Sequence, residues 1–218
     1  MTKIDKEYEE LYLKYSLALR KLEAEIKNII EAYNFNNNDD LVDHTKARIK
    51  SFESASKKLK KRDLEVNPEN MEKNLCDMVG FRIVCPFEDE VYKVVDLIKA
   101  SDAFEVVEEK DYIVEPKESG YSSYHIDISI PLIFKDEIKY VYGEIQIRTM
   151  AMDLWATLDH KLRYKISDDI QKELSPEFLA RAKDMRRFDY RMQCLKDEII
   201  EMKNDETYEK PKKLLKKR

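Results

Sequence analysis

A carboxylate, an amide and a guanidinium occur at every second position near the middle of the sequence. Glu144, Gln146 and Arg148 alternate with the apolar residues Ile145 and Ile147. Side chains repeat every second residue along a β-strand, so the three polar groups share one face while the isoleucines point into a core. The pattern therefore lines up three polar groups on one rigid surface and favours a functional site. An ordinary solvated face is the alternative, although it would more often carry Thr, Lys and Ser.

A second group of candidate residues precedes this strand. The segment 116–125, PKESGYSSYH, places a cation, hydroxyls, two aromatic rings and an imidazole around Gly120. A glycine followed by small polar residues lets the backbone approach a ligand closely. Lys117 can bind a phosphate as a point charge, and the ring of Tyr121 can stack on a base. A turn with a buried aromatic residue would explain any one of these residues, but it explains the whole set less well.

A basic run occupies residues 46–62, which contain eight Lys or Arg residues and one acid, Glu53, in a chain of net charge −5. A polyanion such as a triphosphate, or RNA, would be attracted to this run. A solvated helix face accounts for the run equally well.

Asp77 stands just before the apolar, β-branched segment 79–85, VGFRIVC, which reads as a buried strand with Arg82 pointing out of it. Together with Glu144 it gives two carboxylates that converge at a sheet surface. Mg²⁺ typically takes one or two carboxylates together with substrate phosphates. The sequence contains no GxxxxGK[ST] loop and no kinase Gly-rich loop, so these residues favour a nucleotidyltransferase-like arrangement.

Composition limits the class of protein. The chain has 218 residues, of which 43% are hydrophobic and 39% charged, so it can bury a core beneath a highly solvated surface. The net charge of −5 argues against a general nucleic-acid coat protein. Its three cysteines are scattered, which predicts neither a zinc site nor a disulfide framework. No apolar run approaches the ~20 residues of a membrane span, so a cytoplasmic protein without membrane contact is expected.

The candidate residues must be positioned by a mixed sheet and its helices. Apolar spacing and capping residues predict helices over 5–33, from Ser51, 68–75, 88–100, 150–164 and from Ser175-Pro176 to about 203. Alternation predicts strands over 41–50, 79–85, 104–107, 112–114 and two within 116–149. In the helix 150–164, Leu158 and Leu162 are expected to pack on the sheet. The predicted fold class is α/β (α+β), a mixed β-sheet flanked by helices, with long N- and C-terminal helices.

Five motifs occur in a fixed order within residues 40–165. They are R-x-K-S-x-x-S from Arg48, D-x-x-G-x-R from Asp77, P-K-x-x-G-Y-x-S-x-H from Pro116, E-I-Q-I-R-T from Glu144 and W-A-T-x-x-H-x-x-x-Y-K from Trp155. This set resembles the small alarmone synthetases, the stand-alone members of the guanosine tetra- and pentaphosphate synthetase family. Any single motif would be a weak signal, whereas five in order are specific.

The resemblance implies a nucleotidyltransferase-like fold and transfer of pyrophosphate from ATP to the 3′-hydroxyl of GDP or GTP, with Mg²⁺ as cofactor. Asp77 and Glu144 would be the catalytic residues and the metal ligands, and Glu144 would also take the 3′-hydroxyl proton. The residues implied to bind ATP are Arg48, Lys50, Ser54, Lys58, Lys61 and Arg82. Those implied to bind GDP or GTP are Lys117, Tyr121, His125 and Gln146, with Tyr121 stacked on the guanine and Ser122 beside the acceptor phosphates.

The resemblance also predicts the domain organisation and the assembly of the chain. The chain is expected to form a single synthetase domain over 1–218, with a core at 40–165 and helical flanks at 5–33 and 176–203. Long relatives add a hydrolase and regulatory modules for which this sequence has no room, so synthesis without hydrolysis is expected. Apolar stripes on the terminal helices and the family's assembly predict a homotetramer.

Two alternatives remain open from sequence. An inactive RNA- or nucleotide-binding module of the same fold would use the basic run 46–62 and the basic tail 210–218, but binding alone needs neither Asp77 nor Glu144. A different nucleotidyltransferase would need an acceptor pocket other than the one formed by Tyr121 and His125.

Overall fold

The computed structural model describes residues 3–204. Its helices are α1 (Lys3–Asn37), α2 (Phe52–Lys60), α3 (Pro68–Asn74), α4 (Glu88–Lys99), α5 (Met150–Arg163) and α6 (Asp168–Asn204). Its strands are β1 (His44–Ile49), β2 (Val79–Cys85), β3 (Glu105–Asp111), β4 (Tyr124–Phe134) and β5 (Glu137–Thr149). Among the helices of this part of the chain, none has the length and apolar character needed to cross a bilayer.

The five strands form one mixed sheet in the order β1-β2-β5-β4-β3. Strands β2 and β5 run parallel, and the other neighbours are antiparallel. The predicted class, a mixed sheet with flanking helices and long terminal helices, is therefore confirmed.

A tight turn fixes the register of the central hairpin. Lys135 and Asp136 connect β4 to β5 with φ angles of 52° and 62°. Positive φ at both central residues is the signature of a type I′ turn, whose twist matches that of the two strands. The turn pairs Phe134 with Glu137 and, farther along, Asp127 with Glu144. A shift of one residue would move the polar side chains of β5 to the other face.

The core lies between one face of the sheet and helices α1 and α4. The fully or almost fully buried residues of the sheet include Phe81, Ile83, Ile126, Ile128, Ile145 and Ile147. Helix α1 adds residues at three- and four-residue spacing: Leu11, Tyr15, Ala18, Leu22 and Ile26. Helix α4 adds Val91, Val94, Val95 and Ile98. Burial of each such Val, Leu or Ile side chain stabilises the fold by about 1.5–3 kcal/mol. Because these helices cover one face of the sheet, the opposite face is free for polar groups.

The predicted start of the last helix was wrong. Helix α6 begins at Asp168 and contains Pro176, instead of starting at Ser175. The side chain of Gln171 donates to the carbonyl oxygens of Arg163 and Ile166, at 3.0 and 3.3 Å, and so joins the start of α6 to the end of α5. These contacts order a helical segment before the proline, which the capping signal alone does not reveal.

Two further expectations need correction. Residues 112–114 are not a strand, because Asp111 Oδ1 accepts hydrogen bonds from the backbone N–H groups of Ile113 and Val114 and so forms a turn at the end of β3. Leu158 and Leu162 do not pack on the sheet. Both are about half exposed and line a groove between α5 and α6. The basic tail 210–218 lies outside the described residues.

Candidate active site

The polar face of the sheet carries two adjacent rows of side chains. The register places Arg48, Gly80, Glu144 and Asp127 in one row across β1, β2, β5 and β4. The next row contains Lys46, Arg82, Gln146 and His125. Because each row crosses four hydrogen-bonded strands, residues far apart in sequence meet on a rigid surface.

Asp77 lies in the turn before β2 and is held by two lysines. Lys50 Nζ and Lys58 Nζ approach Asp77 Oδ2 at 2.8 and 2.9 Å. Burial of Asp77 opposes its charge, but the hydrogen bonds and charges of the two lysines outweigh burial and lower its pKa. The other oxygen, Oδ1, is buried and has no hydrogen-bond partner among the described residues. An ionised carboxylate with one unpaired oxygen is suited to a cation.

Glu144 has a different set of neighbours. His125 Nδ1 lies 3.1 Å from Glu144 Oε1, and the Gln146 side-chain amide donates to Oε2. Burial opposes the charge of Glu144, but the contacts with His125 and Gln146 prevail and lower its pKa. Asp127 stands opposite Glu144, and burial followed by the Glu144 charge raises the pKa of Asp127. The surroundings therefore favour the charged form of Glu144 and disfavour that of Asp127.

A chain of hydrogen bonds connects Arg148 to Glu144. Arg148 Nη2 donates to Tyr121 Oη at 2.7 Å, and Tyr121 Oη lies 2.9 Å from His125 Nε2. Burial raises the pKa of Tyr121, although the charge of Arg148 opposes this rise. A protonated Tyr121 hydroxyl can donate to His125 Nε2, and His125 can then donate from Nδ1 to Glu144. The four side chains form one connected network.

The ring of Tyr121 is bordered by two cations. Lys117 Nζ lies 5.1 Å from its centroid and Arg148 Cζ lies 5.3 Å from it. Lys117 is exposed, whereas Arg148 is only 3% exposed. A base could stack on Tyr121 if the exposed Lys117 side chain moved away from the ring.

A cleft of about 730 Å³ extends from these residues to helix α5. Its walls include predicted residues from both substrate sets: Arg48, Lys50, Ser54, Arg82, Tyr121 and Gln146. Asp77 and Glu144 line a smaller pocket beside it, which shares Arg48, Arg82 and Gln146 with the cleft. The volume is within the range typical of small-molecule sites.

Lys61 and Ser122 are two of the predicted positions that do not line this cleft. Lys61 caps the C-terminal end of α2, is exposed and does not line the cleft. Ser122 lines a separate cavity that faces α6, and its hydroxyl oxygen is buried without a hydrogen-bond partner in the described part of the chain. Phosphate contacts by these two residues stay predictions.

Two charged residues outside the predicted substrate sets join the network. Arg148 lies on the polar face of β5, as the alternation predicts, and Asp153 lies in the first turn of α5. Asp153 Oδ1 forms an ion pair with Arg82 Nη1 at 3.0 Å and accepts a hydrogen bond from Arg148 Nη1 at 3.1 Å. It thus joins a residue of the predicted ATP set to the residue that holds Tyr121. Periodicity could place Arg148, but no local signal places Asp153 between two arginines from different strands.

The donor set fits Mg²⁺ in part. Asp77 and Glu144 supply carboxylate oxygens, and Asp77 Oδ1 is unpaired. No group of three or more His, Cys, Asp or Glu residues suited to a metal occurs within residues 3–204. Two carboxylates are nevertheless sufficient for Mg²⁺, which usually completes its shell with waters and substrate phosphates.

Comparison with known proteins identifies the family. Residues 47–169 match the model of a region found in RelA and SpoT proteins. The GTP pyrophosphokinase YwaC of Bacillus subtilis is 38% identical over 187 residues, which cover 86% of this chain and 89% of the relative.

Two solved structures of small alarmone synthetase 1 from Bacillus subtilis are also similar. The complex with its product pppGpp is 32% identical, with a TM-score of 0.82 over 89% of this chain and 99% of that one. The complex with AMPCPP is 30% identical, with a TM-score of 0.75 over 90% and 99% of the two chains. From its matched motifs, its sheet and these relatives, the chain belongs to the RelA/SpoT family, among the small alarmone synthetases.

Proposed function

We propose that the protein is a GTP pyrophosphokinase, which transfers pyrophosphate from ATP to the 3′-hydroxyl of GDP or GTP and releases AMP. The observation that carries this proposal is the meeting of Asp77, Glu144, the basic residues and Tyr121 on one face of the sheet. A relative is named as a GTP pyrophosphokinase, and a similar structure contains pppGpp as its product. The products here would be ppGpp from GDP and pppGpp from GTP.

The donor ATP would lie against β1, β2 and α2. Arg48 and Arg82 can enclose the adenine, since both line the cleft from neighbouring strands. Lys50 and Lys58 would bind the phosphates, as would the Ser54 hydroxyl in the first turn of α2. Lys61, which lies outside the cleft at the end of this helix, would contact the outermost phosphate. The AMPCPP complex of a similar structure supports binding of an ATP-like donor by this fold.

The acceptor would stack its guanine on Tyr121, with Lys117 turned toward its 5′-phosphates. His125 and Gln146 flank Glu144 and would orient the ribose. The 3′-oxygen attacks the β-phosphorus of ATP and forms a new P–O bond, while the bond from that phosphorus to the oxygen of the α-phosphate breaks. AMP leaves with the electron pair of that bond, and Glu144 accepts the proton of the 3′-hydroxyl. Catalysis of this kind rests on positioning and electrostatic stabilisation.

Asp77 and Glu144 would hold Mg²⁺ together with the ATP phosphates. When bound, the ion neutralises negative charge that develops on the transferred group. The unpaired Oδ1 of Asp77 supports this assignment. Lys50 and Lys58 would then release Asp77 Oδ2 in part and turn toward the phosphates.

We also propose that the chain forms one synthetase unit over 1–218 and assembles as a homotetramer. Its proposed location is the cytoplasm, and its proposed further partner is RNA. The basic run 46–62 gives limited support for RNA, because Lys50 and Lys58 pair with Asp77 and Lys57 pairs with Glu53. Lys60 and Lys61 are exposed and could contact a polyanion.

The experiment incubates the protein with Mg²⁺, ATP labelled at the γ-phosphate, and GDP, GTP or GMP. The proposal predicts label in a guanine nucleotide with a 3′-diphosphate and one AMP for each product formed. Release of pyrophosphate with AMP attached to the acceptor would instead indicate a different nucleotidyltransferase. Binding of GDP without turnover would indicate an inactive binding module.

A further inference from the structure

The loop that carries Tyr121 rests on helix α6 at Gly120. Gly120 has a φ of +85°, and a Cβ atom built there would lie less than 3.0 Å from the Cβ of Ala182. It would also lie 3.3 Å from Leu179 Cδ1, one turn earlier on the helix. Both the backbone conformation and the close approach therefore require glycine at this position. The loop and helix are in direct contact immediately before the tyrosine.

The same helix holds a second element of the acceptor side. Asp189 is 6% exposed, and its Oδ2 accepts a hydrogen bond from the hydroxyl of Thr149. Thr149 is fully buried, caps the N-terminus of α5 and directly follows Arg148. Ala182 and Asp189 are seven residues apart, so they lie on one face of the helix. Helix α6 thus contacts both segments that bring Tyr121 and Arg148 together.

Between these two contacts the loop is separated from the helix by a cavity of about 330 Å³. Lys117 and Ser122 line it from the loop, Trp155 from α5 and Met185 from α6. The loop therefore has space to shift if its contact with Ala182 changes. A displacement of Tyr121 would alter its hydrogen bonds to Arg148 and His125.

We infer that α6 is a positioning element for the acceptor nucleotide, with Ala182 setting the loop and Asp189 setting the end of β5. This inference rests on the proposed function and deepens it. Of the donor-side residues, Arg48, Lys50 and Asp77 lie on β1, before α2 and before β2, and only Arg82 is linked to Arg148, through Asp153. Changes at Ala182 or Asp189 therefore affect binding of the guanine nucleotide much more than binding of ATP.

The first test uses Ala182→Leu, because a larger side chain must push Gly120 away. We expect the KM for GDP to rise about tenfold or more, as for a loss of ~1.4 kcal/mol in binding, while the KM for ATP changes less than about twofold. Ala180→Leu makes the same substitution about 200° around the helix and is the matched control. It should leave both KM values near those of the wild-type protein.

The second test compares Asp189→Ala with Asp189→Asn. The asparagine side-chain oxygen can still accept the Thr149 hydrogen bond, whereas alanine cannot. We expect Asp189→Ala to raise the KM for GDP and Asp189→Asn to restore it to within about twofold of the wild-type value. Binding of GDP to each variant by calorimetry reports the same effect without turnover.

The outcomes separate the two proposals. Unchanged GDP binding and KM in Ala182→Leu and Asp189→Ala would overturn the positioning role, as would an equal rise in the KM values for ATP and GDP. Absence of synthesis by the wild-type protein would overturn the proposed function instead. The calorimetric comparison would then still decide whether α6 positions the guanine nucleotide. If Ala182→Leu does not fold, the two Asp189 variants decide the question.

Discussion

At the scale of single residues, the ring and the hydroxyl group of Tyr121 have different roles. Its ring is the surface available to a base, while its hydroxyl lies between Arg148 and His125 at 2.7 and 2.9 Å. The hydroxyl fixes the imidazole that contacts Glu144. Removal of the hydroxyl alone should therefore leave base stacking intact and disturb the group next to the catalytic carboxylate.

We predict that Tyr121→Phe lowers kcat by about tenfold or more and changes the KM for GDP by less than about threefold. Tyr112→Phe is the matched control, because the Tyr112 ring packs edge-on against both Tyr121 and His125 while its hydroxyl lies outside the network. Steady-state kinetics with GDP as the varied substrate measure both constants. A Tyr121→Phe enzyme with an unchanged kcat would exclude a role for the hydroxyl.

Residue types along a strand were predictable, and contacts between elements were not. Period two placed Glu144, Gln146 and Arg148 on one face, and the register of β4 and β5 bears this out. The bridge from Asp153 to two arginines depends on where α5 enters the site, which no local pattern specifies. The position of Lys61 at the outer end of α2 likewise follows from the direction of that helix.

At the scale of secondary structure, α6 differs most from its expected form. Pro176 lies in its interior, where a proline lacks the N–H that would bond to the carbonyl four residues earlier. The proline signal marks a helix start when read alone, because proline is favoured in the first turn. Gln171 contacts the end of α5 and so orders the turns of α6 that precede the proline, which is why the helix begins earlier than predicted.

Replacing this proline tests the reading of α6 as one helix. Pro176→Ala should stabilise the protein by about 1–3 kcal/mol, since alanine restores the hydrogen bond, while proline's smaller unfolded-state entropy offsets part of the gain. Differential scanning calorimetry should show Tm higher by several degrees. A lower Tm would mean that the chain breaks at residue 176 and that α6 is two helices.

The buried carboxyl of α6 gives a prediction about pH. Burial raises the pKa of Asp189 to about 6 from 3.8, against the opposing hydrogen bond of Thr149 and with a further contribution from Glu88. Between pH 3.8 and about 6, Asp189 is protonated more often in the folded protein than in the unfolded chain. The contribution of Asp189 to the free energy of unfolding therefore falls as pH rises from about 4 to 6 and stays low above that range.

Asp189→Asn removes this dependence while it keeps the acceptor for Thr149. We expect its free energy of unfolding in urea to exceed that of the wild-type protein at pH 7.5 by up to about 3 kcal/mol, with little difference at pH 4.0. An equal change at both pH values, or a less stable variant at pH 7.5, would contradict the raised pKa.

At the scale of the whole molecule, the terminal helices leave apolar side chains uncovered. Leu13 on α1 is 50% exposed and Phe188 on α6 is 56% exposed. Exposed apolar patches of this kind mark sites of association. The order of the strands and the packing of helices on the sheet could not be predicted, because they depend on contacts between residues far apart in the sequence. The excess of apolar residues on both terminal helices was predictable from the sequence.

We predict a homotetramer in solution with four times the 26.0 kDa chain mass by light scattering. Leu13→Glu and Phe188→Glu place a charge within the proposed interface and should yield smaller species. Val107→Glu, at a residue of β3 that is also about half exposed, is the matched control and should leave the mass unchanged. A monomeric mass for the wild-type protein at micromolar concentration would contradict the assembly.

The most direct test of pyrophosphate transfer at this site measures AMP formation by Asp77→Asn and Glu144→Gln. Each substitution keeps the side-chain shape but removes the charge proposed to hold Mg²⁺ or to accept the 3′-hydroxyl proton. We predict that AMP formed from ATP and GDP falls below about 1% of the wild-type rate in both variants, with unchanged far-ultraviolet circular dichroism. A rate within about tenfold of the wild-type value in either folded variant would contradict the catalytic assignment.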